Sequence, residues 1–508
     1  VNQENINKLI NDESNIFNYY FLNQIDLLST DKIIDLSGKI TMECISKLET
    51  MLSIRDNIHK IIVSNDVNNE LLVKLDNYTT TSSDEKSDNA EVSTPIVLTD
   101  KMSKHIDPKY LLDKRPTMMD YSCGKGNIIL TLFMQYYNTI SSVEINKPTI
   151  CQQLIESLLY IADINFINVF ITVCKLQYLC NKLMNKSIMF NYNTFIGDSF
   201  NLDLQTEWSI PTIDIIFVNP PYEDKINRNS TQHKLWIDFT IKTFNDWLSK
   251  DGYLYQISPS SFVSPSCKVF KLFKQKQVDI LNLEQEEYFP TVNSSISWYI
   301  IKNTDNNKNK TRINDKTDLV INESLLYLPN DFNLLSLSIH TKVMFDIKDK
   351  LDVKYDYVTC HNNIILKSKR NNTHSTLSKT KTSTHIYPVF HTNKQIWYSE
   401  IKPTYSDKPK VIWTRSGYTK PIYDKGVYGV TDLSYYVLVD NDKEGIELKD
   451  ILNSKLFTYI FTTAKWSGFG NDKVFSALPK IPIKKYTDNE LFTYFKLTDD
   501  EIKYIESY

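Results

Sequence analysis

The chain has 508 residues, of which 41% are hydrophobic and 23% charged, an ordinary composition for a globular protein of two or three domains. No apolar run approaches the ~18 residues that a membrane span needs, and the N-terminus lacks the pattern of a secretory signal, so we expect neither a transmembrane nor an exported protein. The formal net charge is only −3, but the charges are distributed unevenly along the chain.

Seven cysteines are scattered along the chain. They form no CxxC pair, and no histidine stands close enough in sequence to complete a zinc ligand set. We therefore expect reduced thiols, no metal site and a cytoplasmic location. Glycine is scarce, with 11 residues, which together with abundant Asn, Lys, Ile and Tyr indicates an A+T-rich coding sequence.

Residues 1–90 are acidic, with 8 Lys or Arg against 15 Asp or Glu. Apolar residues recur at helical spacing in stretches such as residues 33–63, which predicts an acidic helical N-terminal extension. Residues 79–89, TTTSSDEKSDN, are polar and unpatterned, and we interpret them as a linker that ends this extension near residue 90. The extension contains no proline and no ExK triplet, so a nuclease of the PD...(D/E)xK type is not predicted there.

Short apolar runs alternate with helical patterns between residues 91 and 303, which favours a doubly wound α/β sheet. The predicted strands are residues 116–121, 141–145, 187–197, 213–218, 252–258 and 295–302. The predicted helices are residues 150–181 and 234–249. Residues 303–316 are again polar and unpatterned, so the predicted domains are the extension 1–90, the α/β domain 91–303 and a C-terminal domain 317–508.

The C-terminal domain is rich in aromatic residues and mixed in pattern, which we interpret as α+β. Between residues 361 and 430, 12 Lys or Arg and 3 Asp or Glu give a net charge of +9. Basic side chains between aromatic rings suit a phosphate backbone with bases nearby. A solvated surface around an ordinary aromatic core has the same composition, so the pattern alone leaves both interpretations open.

The sharpest signal is Asn219-Pro220-Pro221-Tyr222, which directly follows the apolar run IDIIFV. A buried strand that ends in a rigid Pro-Pro turn holds an asparagine amide at the carboxyl edge of the sheet, where doubly wound folds bind ligands. The Asn219 side-chain oxygen and the Pro220 carbonyl can accept the two N–H groups of an exocyclic amine and aim its lone pair at an electrophilic methyl group. Tyr222 can stack on the base that carries the amine, once that base has left a duplex.

A second signal is the sequence MMDYSCGKGN at residues 118–127, where an apolar strand end is followed by an acid, a Gly-x-Gly turn and a helix. Gly124 and Gly126 let the backbone approach a ligand closely, and the Asp120 carboxylate can bind a cationic amino group. Glu144 in SSVEINKP, 18 residues after the turn, is interpreted as an acid at a strand end that binds both hydroxyls of a ribose. Together these features predict a nucleoside cofactor.

These motifs resemble those of the N6-adenine DNA methyltransferases that use S-adenosylmethionine, in the motif order cofactor, catalysis, target recognition, called the gamma class. The similarity covers roughly residues 93–303, with a weaker similarity in the C-terminal third. It implies a Rossmann-like methyltransferase sheet and a target recognition domain that binds double-stranded DNA. The chain departs from the family in DYSCGKG, where a Pro more often follows the acid, and in the long interval from Gly126 to Asp198.

The resemblance also implies roles for individual residues. Residues implied in cofactor binding are Thr94, Pro95, Asp120, Gly124, Gly126, Glu144, Ile145, Asp198 and Phe200, with Ile145 and Asp198 at the adenine of the cofactor. Residues implied in catalysis are Asn219, Pro220, Pro221, Tyr222 and Phe289, the last as a second aromatic against the flipped base or simply as part of the core. Charge and aromaticity predict DNA contacts at Arg415, Tyr418, Lys420, Lys465 and Trp466, with core packing as the alternative for Trp466.

Functions of other classes stay open. The same tetrapeptide occurs in enzymes that methylate protein glutamine and in RNA adenine methyltransferases, although the basic aromatic patch favours nucleic acid over protein. A DNA-binding scaffold with a decayed site is a further alternative, against which the intact Asn219, Tyr222, Glu144 and Asp198 speak. Direct methyl transfer needs neither a metal nor a covalent intermediate, because a sulfonium activates the donor. We expect no membrane association, and a companion restriction endonuclease is the protein partner that the resemblance suggests.

Overall fold

The computed structural model describes residues 42–79, 93–222, 234–263, 267–283, 285–290, 295–306, 308–314, 317–321, 325–331, 333–356, 358–361, 376–392, 395–415, 420–464 and 472–508. The chain divides into two compact units. The first unit comprises Val1–Ser260 and Lys276–Asn314, and the second comprises Ser261–Gln275 and Asp315–Tyr508. Within the residues given above, no helix combines the length and the apolar character that crossing a membrane requires.

The first unit is built on a mixed β-sheet. Its strands are β1 (Met118–Asp120), β2 (Leu159–Asp163), β3 (Asn193–Ile196), β4 (Ile213–Val218), β5 (Leu248–Pro259), β6 (Lys276–Asn282), β7 (Ile296–Asp305) and β8 (Thr311–Ile313). They lie in the order β3-β2-β1-β4-β5-β7-β6-β8. Strands β1 to β5 pair in parallel, whereas β7 is antiparallel to both β5 and β6. The predicted doubly wound α/β sheet is therefore confirmed.

Helices connect these strands and precede them in the chain. They are α1 (Met42–Val63), α2 (Asn69–Tyr78), α3 (Ile96–Ser103), α4 (Pro108–Lys114), α5 (Asn127–Ser141), α6 (Lys147–Gln153), α7 (Phe166–Met184), α8 (Leu204–Trp208) and α9 (Leu235–Lys242). Ile58 of α1 and Leu75 of α2 are fully buried in the same hydrophobic core as Phe133 of α5 and Leu176 of α7. The two N-terminal helices thus share the core of the α/β sheet, while the division into three domains stays a prediction.

Two predicted elements are wrong. Residues 141–145, predicted as a strand, are the last residue of α5 and the turn that follows it. The predicted helix 150–181 is interrupted by β2, all five residues of which are buried. The run LLYIA that ends in Asp163 is continuously apolar, and such a run fits a helix or a fully buried parallel strand equally well. The predicted helix 234–249 is confirmed only as far as a π-helical turn at Thr243–Trp247, because β5 begins at Leu248.

The order of the strands creates a crevice at the carboxyl edge of the sheet. Strands β1 and β4 are neighbours, but the chain proceeds from β1 to one side of the sheet and from β4 to the other. At such a topological switch point the loops after the two strands diverge, and ligands bind between them. These loops are residues 121–126, here called the β1 loop, and residues 219–222, the β4 loop. They contain the two strongest sequence motifs.

The second unit is of mixed α+β type, as predicted. Its strands are β9 (Thr317–Leu319), β10 (Lys354–Tyr355), β11 (Leu377–Ser378), β12 (Tyr387–Thr392), β13 (Gln395–Ser399), β14 (Lys410–Thr414), β15 (Ile422–Asp424), β16 (Gly429–Val430) and β17 (Ser434–Leu438). Its helices are α10 (Lys268–Gln275), α11 (Leu334–His340), α12 (Asp442–Leu452), α13 (Lys455–Thr463), α14 (Asp472–Phe475), α15 (Asp488–Tyr494) and α16 (Asp499–Ser507). Two four-stranded sheets have the orders β10-β17-β14-β15 and β11-β13-β12-β16. Trp413 of β14 and Tyr435 of β17 share a core with Leu448 and Phe457 from the helices.

Candidate functional site

Four polar residues stand at the carboxyl ends of four neighbouring parallel strands. Asp120 ends β1 and Asp163 ends β2, while Asp198 lies two residues after β3 and Asn219 directly follows β4. Because the carboxyl ends of parallel strands meet at one edge of a sheet, these residues follow one another in the order Asp198, Asp163, Asp120, Asn219. The structure thus brings three of the predicted residues together and adds Asp163 to them.

Asp120 carries an unsatisfied carboxylate oxygen in a buried position. The side chain is fully buried, and its Oδ1 accepts a hydrogen bond from Ser122 N at 3.0 Å. Its Oδ2 has no hydrogen-bond partner in the part of the chain that the structure describes. Burial raises the pKa of Asp120 well above its usual range, and the Ser122 N–H only partly opposes this effect. Since an unpaired buried oxygen is costly, Asp120 suits a ligand group that donates a hydrogen bond.

Asp163 organises the β1 loop. Its Oδ2 accepts a hydrogen bond from Gly124 N at 2.8 Å. Its Oδ1 accepts hydrogen bonds from Asn165 N at 2.8 Å and from Asn168 Nδ2 at 3.3 Å. Burial raises the pKa of Asp163, and these three donors oppose the effect. A carboxylate has about four acceptor positions, so Asp163 can still accept a hydrogen bond from a ligand.

Glu144 does not stand at the end of a strand, and this prediction is wrong. Helix α5 starts after the β1 loop, and its 15 residues carry the chain ~22 Å toward the opposite edge of the sheet. Glu144 follows this helix and forms an ion pair at 3.6 Å with Arg115, which precedes β1. Ile145 directly follows Glu144 and is 94% exposed. The structure therefore does not place Ile145 beside an adenine at the β1 loop, as was predicted. Asp163 could have been identified from the sequence, because it ends the apolar run LLYIA in the same way that Asp120 ends the apolar start of β1.

The glycine turn of the β1 loop packs directly on α7. Gly124 has φ 48° and Gly126 has φ 87°, both in the left-handed region. A Cβ atom on Gly126 would stand 2.6 Å from Thr172 Oγ1 of α7. Gly126 is also the N-cap residue of α5. A glycine is therefore required here both for the backbone conformation and for the close approach of α7.

We expect Gly126→Ala to lower the free energy of unfolding of the first unit by about 2 kcal/mol or more. A left-handed conformation costs an L-residue about 1 to 2 kcal/mol, and the collision with Thr172 adds to this cost. Urea denaturation measures the change. Gly197→Ala is the matched control, because its Cβ meets only the Phe195 ring, at 3.1 Å. Equal losses in the two variants would contradict the assigned role of the turn.

The Asn219 amide is held on both sides. Its Nδ2 donates a hydrogen bond to Thr94 Oγ1 at 3.0 Å, and its Oδ1 accepts one from the Tyr222 hydroxyl at 2.8 Å. Its backbone carbonyl accepts a hydrogen bond from Ser122 Oγ at 3.1 Å. Thr94 is 7% exposed and immediately precedes Pro95, the N-cap residue of α3. The β1 and β4 loops and the start of α3 therefore meet at Asn219.

The remaining predicted residues differ in their surroundings. Asp198 is exposed, and its Oδ1 accepts a hydrogen bond from Phe200 N at 3.0 Å. The Phe200 ring lies 4.0 Å from the Phe239 ring, centroid to centroid. Phe289 is 3% exposed in the core against which Tyr222 packs. Core packing, the alternative for Phe289, is thus what the structure shows, and its stacking on a base stays a prediction.

The basic aromatic patch of the second unit is partly internal. Phe390, Trp397 and Trp413 are buried, so the interpretation as an aromatic core holds for these rings. Lys410 is 1% exposed and forms an ion pair at 2.8 Å with Asp424, which is 2% exposed. These residues are therefore not available to a phosphate backbone.

Two of the side chains predicted to contact DNA are accessible to solvent. Arg415 is half-buried directly after β14, and Lys420 is exposed. Tyr418, Lys465 and Trp466 lie outside the described residues. Within the described part of the chain, no group of three or more His, Cys, Asp or Glu side chains could hold a metal ion.

No protein-family model matches the chain, and no curated protein matches it in sequence. A nuclease-deletion mutant of the Type ISP restriction-modification enzyme LlaGI, in complex with a DNA substrate mimic, has a TM-score of 0.51 and 13% identity, and the match covers 99% of this chain and 56% of that chain.

Two further solved structures match with lower scores. A putative class I S-adenosylmethionine-dependent methyltransferase from Listeria monocytogenes has a TM-score of 0.31 and 14% identity over 48% of this chain and 70% of that chain. The modification subunit of a putative type I restriction enzyme from Vibrio vulnificus has a TM-score of 0.35 and 14% identity over 49% of this chain and 52% of that chain. The match to LlaGI shows that the two chains share a fold, and this chain spans about half the length of that nuclease-deletion chain.

Proposed function

We propose that the chain is an S-adenosylmethionine-dependent DNA methyltransferase of the gamma class, which methylates the N6 amino group of a flipped-out adenine at a specific site. The observation that carries the proposal is the Asn219 amide at the carboxyl end of β4, in a loop that is hydrogen-bonded to the β1 loop. Support also comes from LlaGI, an enzyme of similar fold that was solved with a DNA substrate mimic.

The residues around the β1 loop fit S-adenosylmethionine. The unsatisfied Oδ2 of Asp120 would accept a hydrogen bond from the amino group of the donor, and Asp163 would accept a hydrogen bond from a ribose hydroxyl. Gly124, in the left-handed region with φ 48°, lets the backbone of the loop approach a ligand closely. Asp198 is exposed at the next strand end, where it would accept a hydrogen bond from the adenine amine of the donor. When bound, this cofactor supplies a methyl group that its sulfonium activates for transfer.

Asn219 and Pro220 would prepare the nitrogen that receives the methyl group. The amino nitrogen of adenine is a poor nucleophile because its lone pair is delocalised into the ring. Two acceptors, Asn219 Oδ1 and the Pro220 carbonyl, favour a pyramidal nitrogen with a localised lone pair. Asn219 Oδ1 currently accepts the hydrogen bond of the Tyr222 hydroxyl, so the target amine would replace this hydroxyl. The Tyr222 ring would then stack on the base and compensate part of the lost base stacking.

Methylation assays with three substrate classes test the proposal. Plasmid DNA, total RNA and a protein extract are each incubated with the chain and labelled S-adenosylmethionine, and the labelled nucleic acid is sequenced by a method that detects N6-methyladenine. We expect label in DNA, at adenines within one recurrent sequence. Label in RNA or in protein glutamine would replace the proposed substrate. No label together with no calorimetric binding of the cofactor would favour a DNA-binding scaffold with a decayed site.

DNA binding by the second unit can be tested through its salt dependence. Replacing Arg415 and Lys420 by Gln should weaken binding to all sequences and reduce the salt slope by about 0.9 for each lost phosphate contact. If either residue reads a guanine edge, discrimination at one base position should instead fall by about 1 to 3 kcal/mol. Lys443 and Lys480, which are exposed in the same unit, provide a matched control pair. An unchanged slope with unchanged discrimination would show that DNA is bound elsewhere.

A further inference from the structure

A chain of hydrogen bonds links α2 to the Asn219 amide through the side chain of Asn127 and the carbonyl and hydroxyl of Thr94. Asp76, in the last turn of α2, accepts a hydrogen bond through Oδ1 from Asn127 Nδ2 at 2.7 Å. The same nitrogen donates to the Thr94 carbonyl at 2.9 Å, and Thr94 Oγ1 accepts a hydrogen bond from Asn219 Nδ2 at 3.0 Å. Asn127 is 6% and Thr94 7% exposed, so water competes little for these hydrogen bonds.

The hydrogen bond to Thr94 restrains the Asn219 amide on the side away from Tyr222. The amide has an NH2 donor at one end and an oxygen acceptor at the other, and a half-turn of the side chain would exchange them. Thr94 Oγ1 holds the NH2 end, which leaves Oδ1 on the side of the Tyr222 hydroxyl. Without the Thr94 hydroxyl, the NH2 end would lose its partner and the amide would be free to rotate about its side-chain bonds.

The α2 end of the chain of hydrogen bonds is anchored by a buried lysine. Lys175 of α7 is fully buried, and its Nζ donates hydrogen bonds to Thr79 Oγ1 and to the Lys125 carbonyl, both at 2.7 Å. Burial lowers the pKa of Lys175 to about 7, while the nearby Asp76 carboxylate favours its charged form. Lys125 belongs to the β1 loop, so the C-terminal end of α2 is tied to that loop as well as to Thr94.

We infer that Thr94 is a positioning residue for Asn219 and that Asp76 positions Thr94 through Asn127. This inference rests on the proposed function, in which Asn219 Oδ1 accepts a hydrogen bond from the target amine. Helix α2 therefore contributes to catalytic geometry, although neither Asp76 nor Thr94 touches the reacting atoms. The family resemblance implied only cofactor binding for Thr94, and the acidic segment 1–90 had no assigned chemical role.

Variants of Thr94 separate a positioning role from cofactor binding. Thr94→Val removes the hydroxyl at nearly constant volume, and Thr94→Ser keeps it. With plasmid DNA as methyl acceptor, we expect Thr94→Val to lower kcat about 10- to 100-fold, the range for losing one hydrogen bond to a buried polar group. The KM of S-adenosylmethionine and its Kd from calorimetry should each change less than about 3-fold, which is a much smaller change than the expected loss of kcat. Thr94→Ser should restore most of kcat.

Two further comparisons test the chain of hydrogen bonds itself. In the Asn219→Ala background, Thr94→Val should lower kcat no further, because residues that act as a unit are not additive. Asp76→Ala should lower kcat in the same direction as Thr94→Val. Glu70→Ala, on the same helix but exposed, is its matched control and should leave kcat unchanged.

The possible failures can be told apart. If Asn219→Ala abolishes transfer but Thr94→Val retains the wild-type kcat, the positioning role is overturned and the proposed function stands. If Thr94→Val weakens cofactor binding at unchanged kcat, Thr94 is a cofactor ligand and the inference is again overturned. If the wild-type chain transfers no methyl group to any substrate, the proposed function is wrong, and the positioning role, which rests on it, is wrong as well.

Discussion

Asn219→Ala is expected to lower the rate of methyl transfer about 10²- to 10³-fold, the cost of deleting one oriented hydrogen-bonding group at a reacting centre. The variant removes one of the two acceptors proposed for the target amine. It also leaves the Thr94 and Tyr222 hydroxyls without the partner that joins them. Cofactor affinity should barely change, because the Asn219 side chain bonds to neither Asp120 nor Asp163. Single-turnover assays with labelled cofactor and plasmid DNA measure the rate.

Two variants serve as controls for this result. Asn219→Asp keeps an acceptor oxygen but loses the NH2 group that donates to Thr94, so its activity should lie between those of the wild type and Asn219→Ala. Asn138→Ala changes an exposed asparagine on α5 and should leave the rate unchanged. Near-normal turnover by Asn219→Ala would exclude the proposed chemistry.

Asp163→Ala is expected to weaken S-adenosylmethionine binding by about 1.5 to 3 kcal/mol, the range for hydrogen bonds to a charged group. The variant removes the proposed acceptor of a ribose hydroxyl and releases Gly124 N from its hydrogen bond. Glu144→Ala should leave the affinity unchanged, since Glu144 is paired with Arg115 away from the β1 loop. Isothermal titration calorimetry measures both variants.

Folding must be checked separately for the Asp163 variant. Its carboxylate accepts hydrogen bonds from Gly124, Asn165 and Asn168, so part of the loss could come from a distorted loop. Asp163→Asn keeps the size and one acceptor oxygen, and an unfolding transition equal to that of the wild type would show that the loop is intact. Weaker binding in Glu144→Ala with normal binding in Asp163→Ala would reverse the assignment of the ribose ligand.

Composition could not determine which residues of the basic aromatic patch reach solvent. Lys410 and Lys420 are ten residues apart and look alike in sequence, yet Lys410 is buried against Asp424 while Lys420 is exposed. Trp413 is fully buried in β14. Burial depends on which strands pair and which helices cover them, and neither is a property of a local stretch of chain.

Local patterns in the sequence were enough to predict the α/β class and the two loops at the crevice. Asn219 and Asp120 could be located because each comes directly at the end of an apolar run and is followed by Pro-Pro or Gly-x-Gly, and these signals are local. The backbone of such a turn depends mainly on its own residues, so the pattern survives without knowledge of the rest of the fold.

The acid beside Asp120 and the partners of Asn219 depend instead on contacts between distant parts of the chain. The segment Leu159–Asp163 is apolar enough for a helix or a strand, and it is a strand because it pairs with β1, with Asp120 opposite Ile161. The contacts Asp76–Asn127 and Thr94–Asn219 join residues 51 and 125 positions apart. Hydrogen bonds between such distant residues form only when the sheet and its helices have assembled, so no local pattern in the sequence encodes them.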